Sequence, residues 1–163
     1  MYVTIWRHGE AGTAASDRLR QLTPIGRDDV GFGCHQFHNH CESRGIPHPH
    51  IIWYSRWLRT TQTAEILASA FNHAQLQTHD ALIPGSVPGR VDAALQALDT
   101  ETHVLLVSHQ PLVSLLVDHY IGEHGRVPPL APGGQATIEM AVAAAGCGTL
   151  CFSTQPPEYE ALQ

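Results

Sequence analysis

Arg7-His8-Gly9-Glu10 sets a guanidinium beside an imidazole directly after the apolar residues Val3, Ile5 and Trp6. Neither side chain is a natural core filler, so the end of that segment has a use for them. Related groups recur at Arg56 and Arg59, within Ser55-Arg56-Trp57-Leu58-Arg59-Thr60, and at Ser108-His109-Gln110-Pro111. A neutral imidazole is a competent nucleophile towards phosphorus and forms an N-phosphorylated intermediate. Arginines around it neutralise phosphoryl oxygens and stabilise charge in the transition state. A second histidine can hydrogen-bond the same oxygens from another side. Gly9 has no side chain to block close approach and lets the backbone turn away or point an amide at the anion. The carboxylates are scattered, so neither a metal nor another cofactor is expected in this chemistry.

These residues must be positioned by the elements around them. A short buried strand begins at residue 2. Thr23-Pro24 is a helix start, with an N-cap hydroxyl and proline at the first helical position. Ile25, Val30, Phe32, Phe37 and Cys41 follow at loosely helical spacing, weakened by Gly31 and Gly33, up to a stop at Arg44-Gly45 and Pro47. Ile51–Tyr54 reads as a second buried strand, followed by a helix from Leu58 to near Asn72. A short strand is expected at Leu76–Thr78, a loop over 84–90, a short helix at Val91–Leu98 and a strand at His103–Val107. A helix opened by Pro111 runs to about Ile121. Residues 122–135 form a Gly/Pro loop, then Ala136–Val142 and Thr149–Ser153 pair as a hairpin.

Strands that are apolar runs alternating with helices predict an α/β fold, a three-layer α/β/α domain with a mostly parallel sheet covered on both faces. Ligands of such sheets bind beyond the carboxyl ends of the strands. Arg7-His8, Ser55–Arg59 and Ser108-His109 all follow strands, so three strand ends deliver them to one edge. The expected organisation is a single domain over 1–154 and a loose C-terminal tail over 155–163.

Composition narrows the function. The chain of 163 residues is 43% hydrophobic and 15% charged, a globular balance. A net charge of −6 provides no field for nucleic acid. The chain has no lysine, and seven of its nine cationic residues, all arginines, fall in the first 60 positions. A bound anion would therefore be held by arginine, which suits bidentate contact with phosphate. Nothing has the length of a membrane span or the pattern of a signal peptide, so a cytoplasmic protein is expected, with free thiols at Cys34, Cys41, Cys147 and Cys151.

On these residues the chain resembles the histidine phosphatase (phosphoglycerate mutase-like) superfamily. Arg7-His8-Gly9-Glu10 after an N-terminal strand is similar to the superfamily signature, and residues 55–64 resemble its S-P-x-x-R-A-x-Q-T-A segment. Ser108-His109 matches the second histidine. The short length, Ala14-Ala15-Ser16-Asp17 leading to Arg20, the run Ser108–Val113 and Pro128-Pro129 resemble the SixA-type phosphohistidine phosphatases, over roughly residues 2–154. The resemblance implies that His8 is the nucleophile that becomes phosphorylated. It implies that Arg7, Arg59 and His109 bind the phosphoryl group, with Arg20 a further contact. Arg56 stands where the family has proline and Thr60 where it has alanine; Arg56 is either a bystander or an added substrate contact.

Larger superfamily members place an acid after the third strand to protonate an alkoxide leaving group. Here that region reads Asp80-Ala81-Leu82-Ile83-Pro84-Gly85, with alanine at the acid position. An imidazole leaving group needs far less help than an alkoxide. The expected activity is therefore metal-independent phosphohistidine hydrolysis on a histidine-containing phosphotransfer or phosphocarrier protein, by a monomer. One alternative is a phosphatase of small phosphomonoesters, with Asp80 or Asp92 as the overlooked acid. Another is a phosphoprotein-binding module with little turnover. A serine hydrolase is excluded, because neither Ser55 nor Ser108 lies in a Gly-x-Ser-x-Gly elbow. His35 and His38, three apart with His40 beyond, could bind a metal, but a solvated helix face is the simpler reading; His48 and His50 bracket Pro49 in a loop.

Overall fold

Strand alternation sets the layers. In β1 (Tyr2–Arg7) Val3 and Ile5 enter one buried cluster and Trp6 the other, and in β4 (His103–Ser108) Val104 and Leu106 separate from Leu105 and Val107 in the same way. The computed structural model describes residues 1–163. With β2 (Ile51–Tyr54), β3 (Gln75–Thr78), β5 (Gln135–Met140) and β6 (Gly148–Thr154), these strands make one sheet ordered β3-β2-β4-β1-β5-β6. β1 to β4 are parallel, while β5 runs antiparallel to both β1 and β6. The sheet is therefore mixed, with a parallel centre.

Helices α1 (Pro24–Arg44) and α2 (Leu58–Ala70) cover one face through Val30, Phe37, Ala64 and Leu67. Helices α3 (Pro88–Leu95) and α4 (Leu112–Ile121) cover the other through Val91, Leu95, Leu116 and Tyr120. This is the expected three-layer α/β/α fold. Local chemistry explains the ends of α1. The Thr23 hydroxyl accepts from the Gly26 amide at 2.9 Å, and Gly45 closes the helix at φ 66°. The third helix starts at Pro88, three residues before the sequence pattern placed it, because Pro88 is itself a first-turn residue with φ preset for a helix. No helix is long and apolar enough to cross a membrane.

The segment after Gln155 is packed, contrary to the expected loose tail. Leu162 exchanges backbone hydrogen bonds with Ser153 at 2.9 Å, and Tyr159 is only 1% exposed. The Tyr159 ring fills a slot left by Gly33, where an added Cβ would lie 2.4 Å from the ring, so the glycine that weakened the helix pattern is a packing site. Its hydroxyl donates to the Gly133 carbonyl at 3.2 Å, and the Gly133 amide lies within hydrogen-bonding distance of the Arg7 and His8 carbonyls. The tail thus braces the loop that holds the end of β1. Tyr159→Ala is expected to lower stability by about 3–5 kcal/mol, the usual cost of deleting a buried aromatic ring, as measured by denaturant unfolding. Tyr159→Phe, which keeps the ring, should recover most of that loss.

Candidate active site

Parallel pairing in register brings the reactive residues together. Arg7 lies opposite Ser108, so His8 and His109 emerge side by side where β1 and β4 end. β2 pairs with the other edge of β4, and its continuation delivers Arg59 on the first turn of α2. The His8 and His109 ring centroids are 5.3 Å apart. Arg59 Nε donates to His8 Nε2 at 3.1 Å. The three strand ends meet as the alternation of elements predicts.

The state of His8 follows from its partners. Its Nδ1 lies 2.7 Å from the Gly9 carbonyl oxygen, which can only accept, so Nδ1 carries the proton. Nε2 is then the unprotonated nitrogen. Burial lowers the His8 pKa to about 4, with Arg59, Arg7 and Arg20 pushing the same way and the Gly9 hydrogen bond opposing. The ring is neutral at physiological pH, and its Nε2 lone pair accepts from Arg59. A nitrogen nucleophile needs that arrangement.

His109 is 2% exposed, and neither of its ring nitrogens has a partner. It stands between His8 and the Trp57 ring, whose centroid is 5.4 Å away. Burial, then His8 and Arg59, lowers its pKa to about 3. Arg7 Nη1 donates to the Leu130 carbonyl at 2.9 Å, while its Nε is buried without a partner. Arg7 Nε and both ring nitrogens of His109 are thus buried close to His8 and Arg59 without a protein partner, and guanidinium and imidazole nitrogens of that kind suit an oxyanion.

Other expected residues take different places. Arg20 spends its donors on the Gly12 and Ala11 carbonyls and on Asp17, so it organises the loop and acts on His8 only through its field. The Gly9 amide, expected at the anion, donates to Thr63 Oγ1 at 3.1 Å instead. Glycine is needed there because a Cβ would lie 2.8 Å from both the Gly26 carbonyl and Val30. Glu10 accepts from the Thr23 hydroxyl at the start of α1. Thr60 buries its hydroxyl against the Ser55 and Trp57 carbonyls, which accounts for its place in the segment. Arg56 pairs with Asp80. Asp92 pairs with His119 at 2.9 Å, near the far end of α4.

Asp17 and Trp57 were not singled out from the sequence. Arg59 donates to the Asp17 backbone carbonyl at 2.8 Å and pairs with its carboxylate at 3.3 Å, and the Arg59 guanidinium carbon lies 4.9 Å from the Trp57 ring centroid. Together they hold the guanidinium against His8. The Arg20 hydrogen bond, with Arg59, keeps the Asp17 carboxyl below its usual range, so it remains an acceptor. The only advance signal was their position beside arginines in the chain.

No protein-family profile matches the chain, and no curated protein does. Solved structures do. The protein histidine phosphatase SixA complexed with tungstate is 30% identical, with 96% of this chain and 97% of that one covered and a TM-score of 0.78. A protein of Agrobacterium tumefaciens described as a SixA phosphohistidine phosphatase is 24% identical, covering 95% and 97%, with a TM-score of 0.76. The mycobacterial glucosyl-3-phosphoglycerate phosphatase Rv2419c shares the fold at 15% identity, covering 92% and 96%, with a TM-score of 0.64. Fold and similarity together define a phosphatase of the phosphoglycerate mutase-like histidine phosphatase class. Within that class, the chain belongs to the SixA-type family.

Proposed function

We propose that the protein is a cytoplasmic phosphohistidine phosphatase that acts on a histidine-containing phosphotransfer or phosphocarrier protein in a signalling pathway, without a metal. The observation that carries this reading is the neutral His8 with Nδ1 protonated and Nε2 at Arg59. An incoming phosphoryl group draws the Arg59 guanidinium onto its oxygens and so releases the Nε2 lone pair. Nε2 then attacks phosphorus; the new N–P bond forms as the bond to the substrate imidazole breaks, and the electron pair leaves with that imidazole. Arg7, Arg59 and His109 hold the non-bridging oxygens. Water then attacks phospho-His8, releasing phosphate and restoring the imidazole. The tungstate bound by the 30% identical SixA structure, a tetrahedral oxyanion, is consistent with an oxyanion site of this kind.

The carboxylates support the choice of leaving group. Asp80 is paired with Arg56, Asp92 with His119, and Asp17 is held ionised by Arg20 and Arg59. Each of these carboxylates is engaged by another side chain, which supports a leaving group that needs no acid. Beside Trp57, a hollow of about 190 Å³ is lined by Arg18, Arg56, Arg90 and Asp80. Its excess positive charge suits the acidic surface of a protein substrate, which gives Arg56 a use where the family has proline.

The test compares phosphate release from a phosphohistidine-bearing phosphotransfer domain with release from a panel of phosphomonoesters, all with EDTA present. Phosphohistidine should be hydrolysed faster by roughly 10²-fold or more, the usual worth of the general acid an ester requires. Comparable rates on the esters would overturn the substrate assignment, and loss of activity with EDTA would overturn metal independence.

A further inference from the structure

A second cluster lies at the opposite edge of the sheet, before β2, and plays no part in the chemistry above. His38 and Glu42 are one turn apart on α1, and His48 reaches them from the loop that follows. The ligand-capable atoms of the three all lie within 4.8 Å of one another. His38 Nε2 is 3.7 Å from Glu42 Oε1, and the His38 and His48 rings face each other at 4.5 Å between centroids.

Zinc held by imidazole nitrogen and carboxylate oxygen at about 2.0–2.2 Å in a tetrahedron sets its ligand atoms roughly 3.4 Å apart. The His38–Glu42 pair is already near that spacing. Small side-chain rotations bring in His48, because all three are at least partly exposed.

The loop that carries His48 is fixed from both sides. His103, fully buried at the start of β4, donates from Nδ1 to the Pro47 carbonyl at 2.5 Å, and its amide donates to His50 Nδ1 at 2.9 Å. The His50 amide in turn donates to the His103 carbonyl at 2.9 Å. Prolines 47 and 49 restrict the backbone on either side of His48. Behind the two imidazoles lies Phe71, with ring centroids 6.2 Å from His38 and 5.4 Å from His48. An apolar backing of that kind limits where the rings can turn.

We propose that His38, Glu42 and His48 form a binding site for a divalent transition metal of the zinc class, with the fourth position open to water. The metal would clip the C-terminal end of α1 to the chain entering β2. Because His48 precedes β2 and Arg59 lies beyond its other end, the site is separate from phosphoryl transfer.

The experiment titrates Zn²⁺ into the full chain, stripped with chelator, against a chromophoric competitor, with the thermal midpoint recorded alongside. The variants are His48→Ala, Glu42→Gln and His124→Ala. The last removes a different exposed histidine, paired with Asp118 at 2.6 Å, as a control for adventitious zinc. The parent should bind one equivalent and melt at a higher temperature with it. His48→Ala and Glu42→Gln should each weaken that affinity about tenfold or more and lose the thermal shift, since even outer-shell losses cost 10–100-fold. Their midpoints without zinc, matching the parent, show that the fold is intact, and His124→Ala should bind as the parent does. Equal affinity in all four proteins, or weakening confined to His124→Ala, would overturn the site.

Discussion

In the His8→Ala variant, phosphate release from phosphohistidine is expected to fall by on the order of 10⁴-fold or more, the scale on which covalent catalysis fails without its nucleophile. No ³²P should remain on the protein after acid-free denaturation, whereas the parent should carry label at a single histidine. Alanine also removes the ring that faces His109 and accepts from Arg59, while leaving Arg7, Arg59 and His109 free to hold an oxyanion. Vanadate binding should therefore survive in the variant. A parent that bound vanadate tightly, formed no labelled intermediate and turned over no faster than His8→Ala would be a binding module.

The pH profile of the parent tests the same residue. His8 attacks as the neutral imidazole, and burial lowers its pKa to about 4 from an ordinary value near 6.5. The nucleophilic form is thus present above about pH 4 and is lost as pH falls through that value. The acid limb of kcat/KM attributable to the free enzyme should lie near pH 4. A limb near 6.5 in the parent would mean that His8 is not desolvated in the working enzyme.

Arg59→Ala is expected to lower kcat by about 10²–10³-fold, the range seen when a preorganised donor to transition-state charge is removed. Arg59 is 5% exposed, and its guanidinium is shared among His8, Asp17 and the face of Trp57. Arg59→Lys should recover little, because one ammonium cannot reproduce a planar fork that serves three partners. Loss of Arg59 also removes a positive charge that depresses the His8 pKa, so the acid limb should move upward in the variant. A merely structural role would lower folded protein without moving that limb. Circular dichroism alongside the pH series separates the two.

Much of the architecture was legible because its causes are local. The Thr23-Pro24 start and Gly45 stop of α1 are written in adjacent residues, as are the apolar runs at Ile51–Tyr54 and His103–Val107. The strands' alternation with helices gave the layers, and the rule that sites form at carboxyl strand ends placed Arg7-His8, Arg59 and His109 on one edge. The weak points were segments whose structure depends on distant partners. The segment after Gln155, expected to be loose, is held by the Leu162–Ser153 backbone pair and by the burial of Tyr159. Gly33 looked like a flaw in α1 until Tyr159 was seen to fill its place.

The sequence by itself determined the class of chemistry, through an imidazole and arginines after strands, and the family, through the motifs around them. Only the tertiary structure decided which nitrogen of His8 is unprotonated, that Asp17 and Trp57 hold Arg59, that Asp80 and Asp92 are occupied by Arg56 and His119, and that Gly9 serves packing, with its amide on Thr63. It also brought His48 to His38 and Glu42 through hydrogen bonds from His103, more than fifty positions along the chain. The reason is physical: caps and periodicity act between near neighbours and leave a mark in the local pattern. Protonation state, desolvation and long-range pairing are properties of what surrounds a group once the chain has closed around it.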